Sequence, residues 1–318
     1  MSRFDFLLAK SVSSLEQYEK RVAIIDDFLF EKSINIFYGP AGLGKTWFMF
    51  GLAQNLVKKG FDVVYVDSDN GIDTIKDRGY DKVIERLHPK LIYLNGDTMD
   101  DTKRDINTIF DEIEAGAEFG YEKAAFIYDS LTFFLNGSVY DEQKIDRFIV
   151  HCKRIRRAGG TVFVINHATK NGSAMKGGGT LVNAVDEVWR AERLEGEDGW
   201  MSFSLTPTKQ RLRVKACAYS VNIKTLELKK QNLLLVSIDE EQQAFIDQVH
   251  EKLAEQSLSQ NQLMESLGYN KADKAKLSLL EKFTGHFWSV EKGQNRAKVY
   301  TLMGTKTHTT QETPSLFS

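Results

Sequence analysis

Through the first half of the chain, short runs of β-branched and aromatic residues alternate with longer stretches in which apolar positions recur every three or four residues. Residues 33–38 (SINIFY), 61–67 (FDVVYVD), 91–94, 124–128 (AAFIY) and 161–166 (TVFVIN) are near-continuous apolar runs. That is the pattern of strands covered on both faces. Between them, residues 46–59 predict a helix that Gly60 stops. Residues 102–118 predict another, with Ile106, Ile109, Phe110 and Ile113 at helical spacing. A third is expected over 141–158, with Ile145, Phe148, Ile149, Cys152 and Ile155 inward and Gly159-Gly160 at its end. Residues 22–30 (VAIIDDFLF) are expected to pack beside the first core strand. Strands alternating with helices imply right-handed crossovers, a mostly parallel central sheet and a ligand at the carboxyl ends of its strands. The expected fold class is α/β.

From Asp186 the pattern changes. Trp189 and residues 200–205, 214–223 and 233–238 read as short strands that extend the sheet antiparallel. Near Glu240 a separate helical module begins. Residues 242–256 predict a helix with Phe245, Ile246, Val249 and Leu253 inward. Residues 259–267 predict a short helix capped by Ser257 or Ser259, with Gly268 as a turn. A third helix is expected over 271–283, carrying Lys271, Lys274 and Lys276. Residues 287–290 and 299–303 read as strands around a basic tip that holds Lys292, Arg296 and Lys298. This is the order of a winged helix. Its third helix can enter a major groove while the wing touches phosphates, and the same architecture also serves protein interaction. The expected division is therefore 1–239, 240–303 and a polar, disordered tail over 304–318.

Composition narrows the function classes. The 318 residues are 42% hydrophobic and 27% charged, enough to bury a sizeable core, and the net charge of −2 does not advertise a nucleic-acid binder. A local basic patch has to do that work, as the lysines beyond residue 270 do. Cys152 and Cys217 have no paired spacing and read as reduced, buried thiols of a cytoplasmic protein. No apolar run approaches membrane-spanning length, and the first ten residues carry no signal-peptide core, so no membrane partner is expected.

The chemistry concentrates at Gly39-Pro40-Ala41-Gly42-Leu43-Gly44-Lys45-Thr46, followed by Trp47. This matches G-x-x-x-x-G-K-[ST], the phosphate-binding P-loop. The glycines let successive N–H groups face phosphate oxygens, Lys45 adds a charge on the β- and γ-phosphates, and the Thr46 hydroxyl can ligate Mg²⁺. A strand before the motif and a helix after it put a helix N-terminus at the phosphates. The expected cofactors are ATP and Mg²⁺. Asp129, directly after AAFIY, occupies the Walker B position and is the second metal-holding group. A base for the attacking water should come from the end of the neighbouring strand. There Tyr65-Val66-Asp67-Ser68-Asp69 offers both Asp67 and Asp69, and spacing alone does not choose.

The ordered set resembles the RecA superfamily of P-loop ATPases over residues 22–238. YVDSDNGID resembles the segment in which a strand leads to the catalytic Glu, a position that falls on Asp69, one methylene shorter. VFVINHATK resembles the strand whose end carries a γ-phosphate sensor, which implies that role for His167. The glycine-rich stretch 168–180 is similar to the single-strand DNA-binding loop facing an oligomer's channel, making Lys170 and Lys176 candidate contacts. Lys209-Gln210-Arg211 matches the Lys-x-Arg finger of replicative hexameric helicases, whose cations reach the neighbouring subunit's ATP. The compact core is closer to small plasmid-type, RepA-like helicases of the DnaB type than to bacterial chromosomal helicases.

The resemblance implies a homo-oligomer, expected as a hexamer, with single-stranded DNA in its channel and duplex or origin DNA recruited by the winged helix. Its function would be that of a replicative DNA helicase of a plasmid, phage or other mobile element. Two rivals keep the ATP site: a recombination or annealing accessory without unwinding, and an ATP-switched DNA-binding regulator. Ser315-Leu316-Phe317 resembles the end of sliding-clamp-binding peptides, without their usual Gln.

Overall fold

In the computed structural model, residues 20–98, 102–135, 139–169, 172, 174–293 and 296–303 are described, the side chains of 102–106 excepted. The chain divides into two compact units, Met1–Val236 and Ser237–Ser318. The predicted tail and its clamp-like end lie outside the described residues.

The first unit opens with a small antiparallel hairpin, β1 (Ala23–Ile25) and β2 (Leu29–Phe30). It is followed by β3 (Ile34–Gly39), α1 (Lys45–Lys58), β4 (Asp62–Asp67), α2 (Ile72–Asp77), α3 (Tyr80–Leu87) and β5 (Leu91–Asn95). Next come α4 (Thr102–Gly116), β6 (Ala124–Asp129), α5 (Leu131–Phe134), α6 (Glu142–Arg157), β7 (Thr161–His167) and α7 (Gly178–Ala184). The unit ends with β8 (Glu187–Leu194), β9 (Trp200–Lys209), β10 (Cys217–Asn222), β11 (Leu228–Gln231) and α8 (Leu233–Val236). One nine-stranded sheet has the order β11-β10-β9-β8-β3-β7-β6-β4-β5. The six strands from β8 to β5 in that order pair in parallel, and β9, β10 and β11 pair antiparallel.

The apolar runs are continuous because both faces of the parallel strands are covered. Phe37, Phe163 and Ile165 point to one face, with Phe48, Leu52 and Trp189. Ile34, Ile36, Val162 and Val164 point to the other, with Ile145, Phe148 and Ile155 of α6. The lead-in does pack on the core. Phe28 sits in the β1–β2 turn, 1% exposed, with its ring 4.8 Å from Trp189, 5.0 Å from Tyr219 and 6.1 Å from Phe37.

Four local expectations are corrected. Residues 233–238 are not a strand: the Asn232 side chain accepts from the Leu234 N–H, and its carbonyl from those of Leu235 and Val236, so LLLV closes into the helical turn α8. The antiparallel extension begins at β9 rather than at residue 186, because β8 runs parallel to β3. Two helices, α2 and α3, fill the polar stretch between β4 and β5, where none was read. The fourth correction lies in the second unit.

That unit contains α9 (Glu240–Glu255), β12 (Leu258–Ser259), α10 (Gln260–Ser266), α11 (Lys274–Phe283), β13 (Trp288–Lys292) and β14 (Lys298–Leu302). Its three strands pair antiparallel in the order β12-β14-β13. Phe245, Val249, Leu263, Leu280, Phe283 and Trp288 are buried, and the Trp288 indole N–H donates to the Leu280 carbonyl at 3.0 Å. Ser259 caps α10 through a capping box with Gln262. The third helix starts at Lys274, not residue 271, because the Asp273 carboxylate accepts from the Ala275 and Lys276 N–H groups and fixes the N-cap there. Among the described residues, no helix is long and apolar enough to cross a membrane.

Truncating Phe28 should open a cavity under the hairpin that the sheet cannot refill. Phe28→Ala is expected to lower stability by about 3–5 kcal/mol in chemical denaturation. A change within experimental error would mean that the hairpin is not part of the core.

Candidate active site

The parallel register brings four strand ends together. Gly39 lies opposite His167 across β3 and β7, and Asp67 lies opposite Asp129 across β4 and β6. After Gly39 the chain turns into α1 through Gly42 and Gly44, at φ 74° and 98°, where a side chain would be strained. A Cβ on Gly39 would stand 2.8 Å from the Ala191 carbonyl oxygen, so the strand leaves no room for one. Lys45 folds back over the loop, and its ammonium donates to the carbonyls of Gly39 at 3.1 Å and Pro40 at 2.7 Å.

Asp129 is fully buried. Its Oδ2 accepts from the Thr46 hydroxyl at 2.9 Å and the Tyr65 hydroxyl at 3.0 Å, while its Oδ1 is buried without a hydrogen-bond partner. Burial, and then the charge of Asp67, pushes the Asp129 carboxyl up to about 7. A bare carboxylate oxygen in a buried site, next to a threonine hydroxyl, is a donor set that fits a hard divalent cation such as Mg²⁺.

The two acids on the neighbouring loop separate cleanly. Asp67 is buried and accepts from the Asp69 and Asn70 N–H groups, the Asn70 amide and the Tyr93 hydroxyl at 2.8 Å. Its lone pairs are used in shaping the loop. Asp69 is exposed and lines a cavity of about 350 Å³. Gly42, Gly44, Lys45, Thr46, Trp47, Asp129 and His167 line the same cavity, together with Asn70, Arg78, Ile165 and Met201. The His167 Nδ1 is buried without a partner, and burial, followed by the Lys45 charge, holds its pKa below the usual histidine range. Of this set, sequence reasoning missed Tyr65, Tyr93, Asn70, Arg78 and Met201, which belong to no motif.

The predicted DNA-contacting residues fall in different surroundings. Ala168 pairs with Met175, and the Lys176 N–H and carbonyl bond the His167 carbonyl and the Asn166 amide, so this stretch folds back on the end of β7. Lys170 lies outside the described residues. In the second unit, Lys271 pairs with Glu265 at 3.1 Å and Lys276 with Glu241 at 3.0 Å. Lys274, Lys292, Arg296 and Lys298 are exposed, with Lys292 and Lys298 paired across β13 and β14.

Lys209 and Arg211 lie at the amino end of the parallel sheet. The Lys209 ammonium donates to the carbonyls of Val182 and Val185, and the Arg211 guanidinium to that of Asn183 at 2.6 Å, at the end of α7. Asp186, just before β8, accepts from the Ile34 N–H at the start of β3. At roughly 3.3 Å per residue, β3 separates this end from the P-loop by about 20 Å. Neither cation reaches the cavity of its own chain.

The loop bearing Arg211 is anchored by a buried acid. The Leu212 N–H donates to the Glu187 carboxylate at 3.2 Å, and burial, then the charge of Asp186, raises the Glu187 pKa from 4.5 to about 7. A raised folded-state value gives stability that is present below the unfolded value and lost as pH rises through the folded one. Glu187 is therefore expected to cost stability between about pH 4.5 and 7, and Glu187→Gln to shrink the stability difference between pH 5 and pH 8 measured by denaturant titration. An unchanged difference would exclude Glu187 as its source.

The profile of a family described as an AAA domain matches residues 2–173, more than half of the chain. No curated protein matches the sequence. Among solved structures, flagellar accessory protein FlaH from Methanocaldococcus jannaschii is similar at 15% identity and a TM-score of 0.45, over 64% of this chain and 90% of that one. The chain belongs to the AAA domain family of RecA-like P-loop ATPases.

Proposed function

We propose that this chain is an oligomeric ATPase that translocates on single-stranded DNA, and that it serves as a replicative helicase of a plasmid, phage or other mobile element. The observation that carries this reading is the separation of its parts. The P-loop, Asp129, Asp69 and His167 share one cavity, while Arg211 stands at the far end of the sheet. A cation so placed acts only on a nucleotide held by another copy, which ties turnover to assembly into a ring.

In this reading the P-loop amides and Lys45 hold the triphosphate, and Thr46 with the free Oδ1 of Asp129 would hold Mg²⁺. The ion, when bound, neutralises charge on the transferring phosphate. Asp69 orients and deprotonates the attacking water, and His167 senses the γ-phosphate through its unpaired Nδ1. Arg211 stabilises transition-state charge in the neighbour. The stretch 168–177 joins His167 to α7, so a change at the phosphate is passed to the proposed DNA loop, where Lys170 and Lys176 would meet the strand. The second unit, read as a winged helix, would recruit duplex or origin DNA through Lys274 and the tip at Lys292, Arg296 and Lys298.

A second reading is favoured by one departure. Asp69 is a methylene shorter than the usual Glu, which would slow hydrolysis and suit an ATP-switched DNA-binding regulator. Steady-state ATP hydrolysis with and without single-stranded DNA separates the two, with Lys45→Ala as the blank. The helicase reading expects strong stimulation and strand separation on a forked duplex. ATP binding with no stimulation would reject it in favour of the regulator. Arg211→Ala is expected to abolish turnover while leaving ATP affinity intact, as measured by equilibrium nucleotide binding. Normal hydrolysis by this variant would reject the assignment in trans.

A further inference from the structure

At the amino end of the sheet lies a cavity of about 880 Å³ that no motif announced. Lys20, Arg21, Arg156, Arg211 and Arg213 line it, against the carboxylates Asp26, Asp27 and Asp186. The carboxylates are largely spoken for. Asp186 is 2% exposed and accepts from the Arg156 guanidinium at 2.9 and 3.1 Å and from the Ile34 N–H, with Arg21 3.2 Å away. Asp27 pairs with Lys215 at 2.9 Å. What remains is a surplus of positive charge. Arg213 is exposed and has no partner among the described residues, whereas the buried Arg21 Nη1 is held in its ion pair with Asp186.

The wall bearing these cations is fixed by its backbone. The Arg211 N–H donates to the Asp186 carbonyl at 3.1 Å, the Leu212 N–H to Glu187 at 3.2 Å, and the Lys215 N–H to the Asp27 carbonyl at 2.7 Å. Arg211 and Arg213 are held on one segment, two residues apart, and both face this cavity. Lys209 does not line it; its ammonium is spent on the α7 carbonyls. Planar guanidinium groups at fixed positions are suited to phosphoryl oxygens, which they bind with paired hydrogen bonds.

We infer that this cavity receives the phosphoryl oxygens of the nucleotide held by the neighbouring copy, with Arg213 as the second cation beside Arg211. The inference rests on the reading of Arg211 as acting in trans, and it goes further by replacing a lone finger with a built anion socket. The same phosphate chemistry could come from a DNA backbone, and the test separates the two sources.

The experiment mixes variants of the full chain. Lys45→Ala has no working P-loop but presents an intact socket, whereas Arg211→Ala and Arg213→Ala keep their own P-loops. Arg213→Ala alone is expected to lose turnover by about a hundred-fold or more, with nucleotide affinity unchanged, and to regain activity when mixed with Lys45→Ala. The same rescue is expected for Arg211→Ala. If Arg211→Ala is lost and rescued while Arg213→Ala turns over normally or is not rescued, the socket is wrong and the reading of Arg211 stands. If neither mixture is rescued, that reading itself falls. An Arg213→Ala protein that hydrolyses ATP normally without DNA but loses DNA stimulation would assign the cavity to a DNA backbone and overturn the inference.

Discussion

The in-register pairing of β3, β7, β6 and β4 is the constraint on which the rest depends. Parallel strands buried on both faces tolerate polar side chains only where they end. Because β6 and β4 end only two residues short of β3 and β7 in register, Gly39, His167, Asp129 and Asp67 emerge close together from apolar runs. The same burial that makes the sheet stable strips water from Asp129. Two hydroxyls, from Thr46 and Tyr65, partly compensate one of its oxygens, and the other is left bare. A carboxylate held in that condition is costly for the fold by itself and well suited to a cation.

Two carboxylates two residues apart differ in their surroundings for reasons of hydrogen bonding. Asp67 is saturated by Asn70, Tyr93 and the Asp69 N–H, and it works as the knot of a loop. Asp69 is thereby turned out of the loop and into the cavity. The length of the sheet then sets the division of labour between its two ends. The carboxyl end holds the nucleotide cavity, and the amino end holds Asp186, Glu187 and the arginines. A distance of about 20 Å keeps the two apart within one chain. The proposed action of Arg211 in trans rests on that separation.

Much of this was readable along the chain. The alternation of apolar runs and helical spacing located every parallel strand but β8, and that strand was marked only by Trp189, because each signal is local and covers a run of four or more residues. The P-loop was legible for the same reason. The stretch from Ser68 to His88 was not, since its two helices are short, polar and started by Gly71 and Gly79 rather than by a recognisable cap. LLLV at 233–236 was misread because a four-residue apolar run fits a strand or a helical turn equally, and only the Asn232 bonds decide.

By itself, then, the sequence determined the α/β architecture, the phosphate cradle and the strand ends at Asp129 and His167. Only the tertiary structure tied Asp67 into its loop and set Asp69 in the cavity, brought Tyr65 onto Asp129, took Lys209 away from the cavity side and gathered Arg21, Arg156, Arg211 and Arg213 into one cavity with Asp186. The physical reason is separation along the chain. Periodicity and motifs report neighbours a few residues apart, whereas Thr46 meets Asp129 across 83 positions and Ile34 meets Asp186 across 152. Hydrogen bonds of that span leave no pattern in a single sequence, and they are what sort equivalent-looking acids and cations into different roles.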